Sequence, residues 1–145
     1  MKQTAGTELT REQQKDLFRR AMDASRNAYA PYSHFHVGAA LLTEDGNVYT
    51  GVNVENMSYP AGICAERSAG VQAVTAGDQA FAALAVASPD GEASMCGICR
   101  QFFSEFSTEM QIIYGRDEGS LKTEPLSALL PSDFVLPEEL KLGKK

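Results

Sequence analysis

At 145 residues, 43% of them hydrophobic and 22% charged, the chain has the length of one globular domain, with enough apolar material for a core and no bias toward disorder. Its formal net charge of −6 argues against a surface that tracks phosphates, because nucleic-acid binding draws most of its strength from clustered Lys and Arg. No apolar run approaches a membrane span and the polar stretch 4–12 carries no signal-peptide segment, so a cytoplasmic protein is expected.

A helix is expected over 10–28, where Leu17, Phe18, Ala21, Met22 and Ala28 recur at helical spacing and Thr10 with Gln13 has the form of a capping box. Tyr29-Ala30-Pro31-Tyr32 ends it, because a proline biases the residue before it away from the helical region. Two β-rich apolar runs follow at 36–43 and 48–54, joined by Glu44-Asp45-Gly46-Asn47, a turn sequence that predicts an antiparallel hairpin. His34 and His36 share a face with no third metal-binding partner nearby, and read as exposed strand residues. After the loop Tyr59-Pro60-Ala61-Gly62, a helix is expected over 64–76, closed by Gly77. A short strand at 82–88 leads through a turn-rich connection to a further helix at 96–106, whose Phe102, Phe103 and Phe106 are expected to pack on the sheet. Strands at 110–114 and, more weakly, 121–123 precede a short helix at 125–130. This alternation is the rhythm of right-handed βαβ crossovers. The expected fold is a single three-layer α/β/α domain over 1–145 with a mixed central sheet and flexible tails at 1–9 and 138–145.

The chemistry is concentrated in three cysteines and a glutamate, Cys64-Ala65-Glu66 and Cys96-Gly97-Ile98-Cys99. An odd cysteine count without secretory features favours reduced thiols and a metal over disulfides. Cys96 and Cys99 share one helical face, and Cys64 arrives from a different element, so three thiolates can converge on one ion. Structural zinc sites close with four protein ligands, whereas catalytic sites use three and leave one position to water. Both cysteine pieces fall where a strand hands over to a helix, and the unpaired amides and dipole of a first helical turn favour thiolate. Three thiolates surround Zn²⁺ with negative charge; Arg67 beside Glu66, and secondarily Arg100 beside Cys99, are the candidate cations to offset it. Soft thiolates with a hydrolytic role point to zinc rather than iron. The bland alternatives are a redox Cys-x-x-Cys pair, buried small hydrophobes, or a solvated Glu66 at a helix start.

The zinc deaminases carry a His or Cys two residues before a Glu, followed later by paired cysteines, and the chain resembles one branch of them, the small homotetrameric cytidine deaminases, from 29 to 134. The resemblance rests on Ala30-Pro31-Tyr32-Ser33 with Phe35 and Val37-Gly38-Ala39-Ala40, on Gly51-Val52-Asn53-Val54-Glu55-Asn56, on Cys64-Ala65-Glu66-Arg67 and on Cys96-Gly97-Ile98-Cys99-Arg100-Gln101. It implies one zinc ion per subunit on Cys64, Cys96 and Cys99, with Glu66 as proton carrier. It further implies that Asn53 and Glu55 hold the ribose hydroxyls, that Phe35 packs on the base or sugar, and that Ala65 offers its amide to the pyrimidine carbonyl. Tyr59 and Phe134 are implied to complete a neighbouring subunit's pocket. Two positions depart from the family pattern: Met95 replaces the proline before the paired cysteines, and Met57 stands where alanine is common. Hydrolytic deamination of cytidine and deoxycytidine in pyrimidine salvage is the expected function. The alternatives are a deaminase of a modified or antibiotic aminopyrimidine nucleoside and a non-catalytic zinc protein that binds nucleosides. A polynucleotide substrate is disfavoured by charge and by the lack of a basic, aromatic channel.

Overall fold

A computed structural model describes residues 8–140. The first helix, α1 (Arg11–Ala24), starts at the expected capping box: Thr10 Oγ1 accepts from the Gln13 amide at 3.2 Å, and Gln13 Oε1 accepts from the Thr10 amide at 2.8 Å. It ends earlier than the sequence suggests. Ser25 Oγ donates to the Met22 carbonyl at 2.5 Å, a 3-10 turn spans Ser25–Asn27, and Ala28 is extended. The chain then runs beside residue 53, where the Tyr29 amide donates to the Asn53 carbonyl at 3.0 Å.

The predicted hairpin is β1 (Gly38–Thr43) and β2 (Val48–Val52), antiparallel with Leu42 opposite Val48. The first strand starts two residues late because the His36 and Val37 amides are taken by side chains, Asp90 Oδ2 and Asn53 Oδ1, instead of a ladder. His34 and His36 are therefore loop residues, not strand residues, and His34 sits at φ 58°. The next elements are α2 (Ala65–Thr75), β3 (Phe81–Ala87), α3 (Gly97–Ser104), β4 (Gln111–Tyr114), β5 (Lys122–Pro125) and α4 (Leu126–Leu129). Gly77 follows α2 at φ 94°, as a closing glycine should.

The strand order is β2-β1-β3-β4-β5, with β3 and β4 parallel and the other neighbours antiparallel. The expected mixed sheet is thus present. Side chains alternate across it. Ala40, Leu42, Ala83, Ala85 and Ile113 meet Leu17, Phe18 and Ala21 of α1 on one face. Ala39, Leu41, Leu84, Val86 and Ile112 meet Ala69 and Ala73 of α2 and Phe103 of α3 on the other. Three layers result, each large buried side chain contributing about 1.5–3 kcal/mol of burial. Phe103 tilts against Phe81 with ring centroids 5.8 Å apart, and Phe102 and Phe106 extend the same cluster.

Two features of this frame place the site. Both β2 and β3 run antiparallel to β1, so they point the same way, and the helices that follow them begin at the same edge of the sheet. Gly51 lets α2 lie directly on β2: a Cβ there would stand 2.4 Å from the Ala69 amide nitrogen and 2.5 Å from the Ala65 carbonyl oxygen.

Of the expected tails, 1–7 and 141–145 lie outside the described residues. Leu9, assigned to the first tail, is instead buried, its amide donating to Gln111 Oε1 at 3.1 Å, and Glu138–Leu140 forms a 3-10 turn.

Candidate active site

Cys64 is the N-cap of α2 and Cys96 the N-cap of α3, both with extended backbone and neither with a side-chain capping bond. Cys99 lies one turn further on, at the third position of α3. The alignment of the two helix starts brings all three sulfurs within 4.8 Å of one another, with 3.6 Å between Cys64 and Cys96 and 3.5 Å between Cys96 and Cys99. A tetrahedral zinc with Zn–S bonds near 2.3 Å sets its sulfurs roughly 3.8 Å apart, so the trio fits one ion. It is also the one cluster of metal-binding side chains found among the described residues.

The sulfurs do not share charge equally. Hydrogen bonding from Cys99, reinforced by Arg67 and Cys96, holds the Cys64 thiol down at about 5. The same interaction with Cys64, together with burial, pushes Cys99 upward. Loading a metal on all three must therefore displace protons from the cluster. Arg67 Nη2 lies 3.8 Å from Cys64 Sγ, and its buried Nε meets no hydrogen-bond partner among the described residues. Arg67 thus sets a cation against Cys64. Arg100 does not. Its guanidinium bonds the Met95 carbonyl at 2.9 Å and the Leu129 carbonyl at 2.7 Å, tying the approach to Cys96 to α4 and leaving no bond to sulfur. The reason is its position: the residue after Cys99 points across α3 toward α4, away from the cluster.

Glu66, at the second position of α2, is 3% exposed. Burial raises its carboxyl to about 7, and the charge on Cys64 pushes the same way. Ala65, fully buried at the first position, carries a first-turn amide without a partner inside the helix.

A cavity of about 570 Å³ opens onto Cys64 and Arg67 and is also lined by Tyr32, Ser33, Asn53, Glu55 and Tyr59. Asn53 and Glu55 lie beyond the end of β2. Asn53 Oδ1 accepts from the Val37 amide at 2.9 Å and its Nδ2 donates to the Phe35 carbonyl at 2.8 Å, so this side chain fixes the segment that carries Phe35. Phe35 itself is half-buried against the core and does not line the cavity. The Glu55 carboxylate accepts from the Tyr32 and Ser33 amides at 3.0 and 3.1 Å and from Ser33 Oγ. Ser33 accordingly holds this carboxyl below its ordinary range. Tyr59 stands at the rim, 80% exposed. Phe134 is 71% exposed and off the cavity, its backbone clamped by the Gln101 amide group at 2.9 and 3.0 Å. Met95 is buried in the core and Met57 is exposed, and neither lines the cavity. Ser33, Tyr32 and Asn56 were not singled out from sequence. The signal for Ser33 was present in the motif Ala30-Pro31-Tyr32-Ser33, but its partner Glu55 is 22 residues away.

A family model described as the cytidine and deoxycytidylate deaminase zinc-binding region matches residues 11–115. The chain is 43% identical over 120 residues to a cytidine deaminase of Sporosarcina psychrophila, covering 81% of this chain and 88% of the relative. A crystal structure of the cytidine deaminase from Burkholderia pseudomallei superposes with a TM-score of 0.77 at 41% identity, covering 82% of this chain and 97% of the other. That of Mycobacterium tuberculosis gives a TM-score of 0.74 at 37% identity, covering 83% and 96%. Because the matched region contains both helix starts and their sulfurs, the chain belongs to the cytidine and deoxycytidylate deaminase family, as a zinc enzyme of the cytidine deaminase type.

Proposed function

We propose that this enzyme converts cytidine and deoxycytidine to uridine and deoxyuridine, consuming one water and releasing one ammonia per turnover. The observation that carries the reading is the meeting of three sulfurs and one buried carboxyl group at two helix starts, beside a nucleoside-sized cavity. Zinc on Cys64, Cys96 and Cys99 would supply Lewis acidity, bringing water toward a pKa of about 7 and making it nucleophilic at neutral pH. Glu66 takes one proton of the attacking water and delivers it to ring N3 so that C4 becomes electrophilic, then takes the second proton from the new C4 hydroxyl and hands it to the departing amine, leaving a C4 carbonyl and ammonia. Arg67 offsets the charge of the sulfurs. The Ala65 amide faces the pyrimidine carbonyl, Asn53 bonds to the sugar hydroxyls and Glu55 accepts from them, and Phe35, packed on the core and held by Asn53, backs the sugar side of the cavity without lining it.

The chain acts as a single domain within a homotetramer. Exposure of Tyr59, Phe134, Val135 and Ile98 supports packing of copies against one another, with Tyr59 and Phe134 completing a neighbour's cavity. A cytoplasmic role in pyrimidine salvage fits a free nucleoside substrate, and no described helix is long and apolar enough to cross a membrane. The test is ammonia release across a panel of cytidine, deoxycytidine and modified aminopyrimidine nucleosides. Cytidine and deoxycytidine are expected to yield ammonia and the corresponding uracil nucleosides; release from modified nucleosides alone would overturn the assignment.

A further inference from the structure

The turn at 32–34 is wrapped around one carboxylate. The Tyr32 and Ser33 amides both point at Glu55 Oε1, and the next residue, His34, takes the left-handed conformation at φ 58°, with its amide donating to the Ala30 carbonyl at 3.0 Å. Successive amides followed by a left-handed residue make a concave anion seat. The Ser33 hydroxyl then joins that seat to the rest of the cavity wall. It has one proton to donate, and donates it to Glu55 Oε2; it also accepts from the Phe35 amide at 3.0 Å. Asn53 closes the loop of bonds by donating to the Phe35 carbonyl at 2.8 Å. A carboxylate offers about four acceptor positions. The two amides and the hydroxyl occupy three, and the one left, on Oε2, belongs to a group that lines the cavity.

We propose that Ser33 is a positioning residue for sugar recognition: it fixes the Glu55 carboxylate so that one acceptor position on Oε2 meets a single ribose hydroxyl. This rests on the reading that the cavity takes a nucleoside with its sugar at Glu55. Without the Ser33 hydroxyl, Oε2 has two free positions and no fixed direction, and the Phe35 amide loses its acceptor.

The experiment compares kcat/KM for cytidine with kcat/KM for dideoxycytidine, which lacks both ring hydroxyls of the sugar, in the zinc-loaded enzyme. In S33A the ratio of the two falls about tenfold, and in S33T, which keeps the hydroxyl, it returns to within about twofold of the native ratio. In the E55Q background, adding S33A leaves the ratio where E55Q alone has put it. If S33A does not fold, S33C supplies the same comparison with a weak donor. Equal losses on both nucleosides in S33A, with the ratio unmoved, overturn the assignment of Ser33 and leave the deaminase reading intact. Failure of the native enzyme to release ammonia from cytidine overturns the deaminase reading instead.

Discussion

The metal wall, which meets the cavity at Cys64 and Arg67 and is built with Cys96, Cys99 and Glu66, is fixed by backbone, whereas the wall that carries Asn53 and Glu55 is fixed by side-chain hydrogen bonds between loops. On the first, two N-cap residues and the positions one to three places beyond them are held by helices lying on the sheet, and Cys99 and Glu66 are buried. On the second, Ser33, Asn53 and Glu55 reach across 16 to 22 residues of sequence to hold a turn that remains partly open to solvent. A metal site needs its donors placed to within a few tenths of an ångström, which packed helix starts provide. A sugar-reading edge needs polar groups that a ligand can reach, and such groups are supported by one another.

Changes to the first wall should do the most damage. Glu66→Gln keeps the shape of the helix start and removes the proton carrier, so kcat falls by about a thousandfold or more while zinc stays at one per chain by elemental analysis. Arg67→Ala removes the cation 3.8 Å from Cys64. The Cys64 thiol then rises, a metal must displace a more tightly held proton, and zinc affinity in a chelator competition drops about 10- to 100-fold. Gly51→Ala tests the packing that places α2. The new Cβ has backbone on two sides closer than 3.0 Å, so β2 and the start of α2 must part, at about 2 kcal/mol of stability in denaturant melts.

The loop segment next to the second wall yields smaller effects. Asp90 holds the His36 amide and Nδ1, each at 2.8 Å, and these contacts pull its carboxyl below the ordinary range. A folded-state value below the unfolded one means that the contribution is present above about pH 4 and fades as acid approaches the folded value. Asp90→Asn therefore lowers the melting temperature at neutral pH by less than Gly51→Ala does, and the gap to the native chain narrows in acid. A constant gap down to acid would show that the tether does not depend on charge.

The same contrast explains what could be read from the sequence. The metal wall was legible because its spacings are local: Cys96 and Cys99 are one helical turn apart, Glu66 two residues from Cys64, and the strand-to-helix handovers carry clear signals. The order of β2, β1 and β3, which brings both helix starts to one edge, was not legible, since the hairpin signal and the crossover rhythm do not say which strand lies between the others. Arg100 was misread because adjacency to Cys99 says nothing about the direction of a long side chain, which here runs to the Leu129 carbonyl. The ends of β1 and β2 and the part played by Ser33 were not legible, since the bonds of Asp90, Asn53 and Glu55 to distant amides override strand propensity.

The central claim is that Cys64, Cys96 and Cys99 together hold one zinc ion on which deamination depends. Zinc content and ammonia release from cytidine, measured on one purified sample before and after chelation and again after zinc is restored, test it directly. One zinc per chain, loss of both signals together and recovery of both together are the predicted result. Undiminished ammonia release from the metal-free chain, or one tightly held zinc surviving Cys99→Ala, would contradict it.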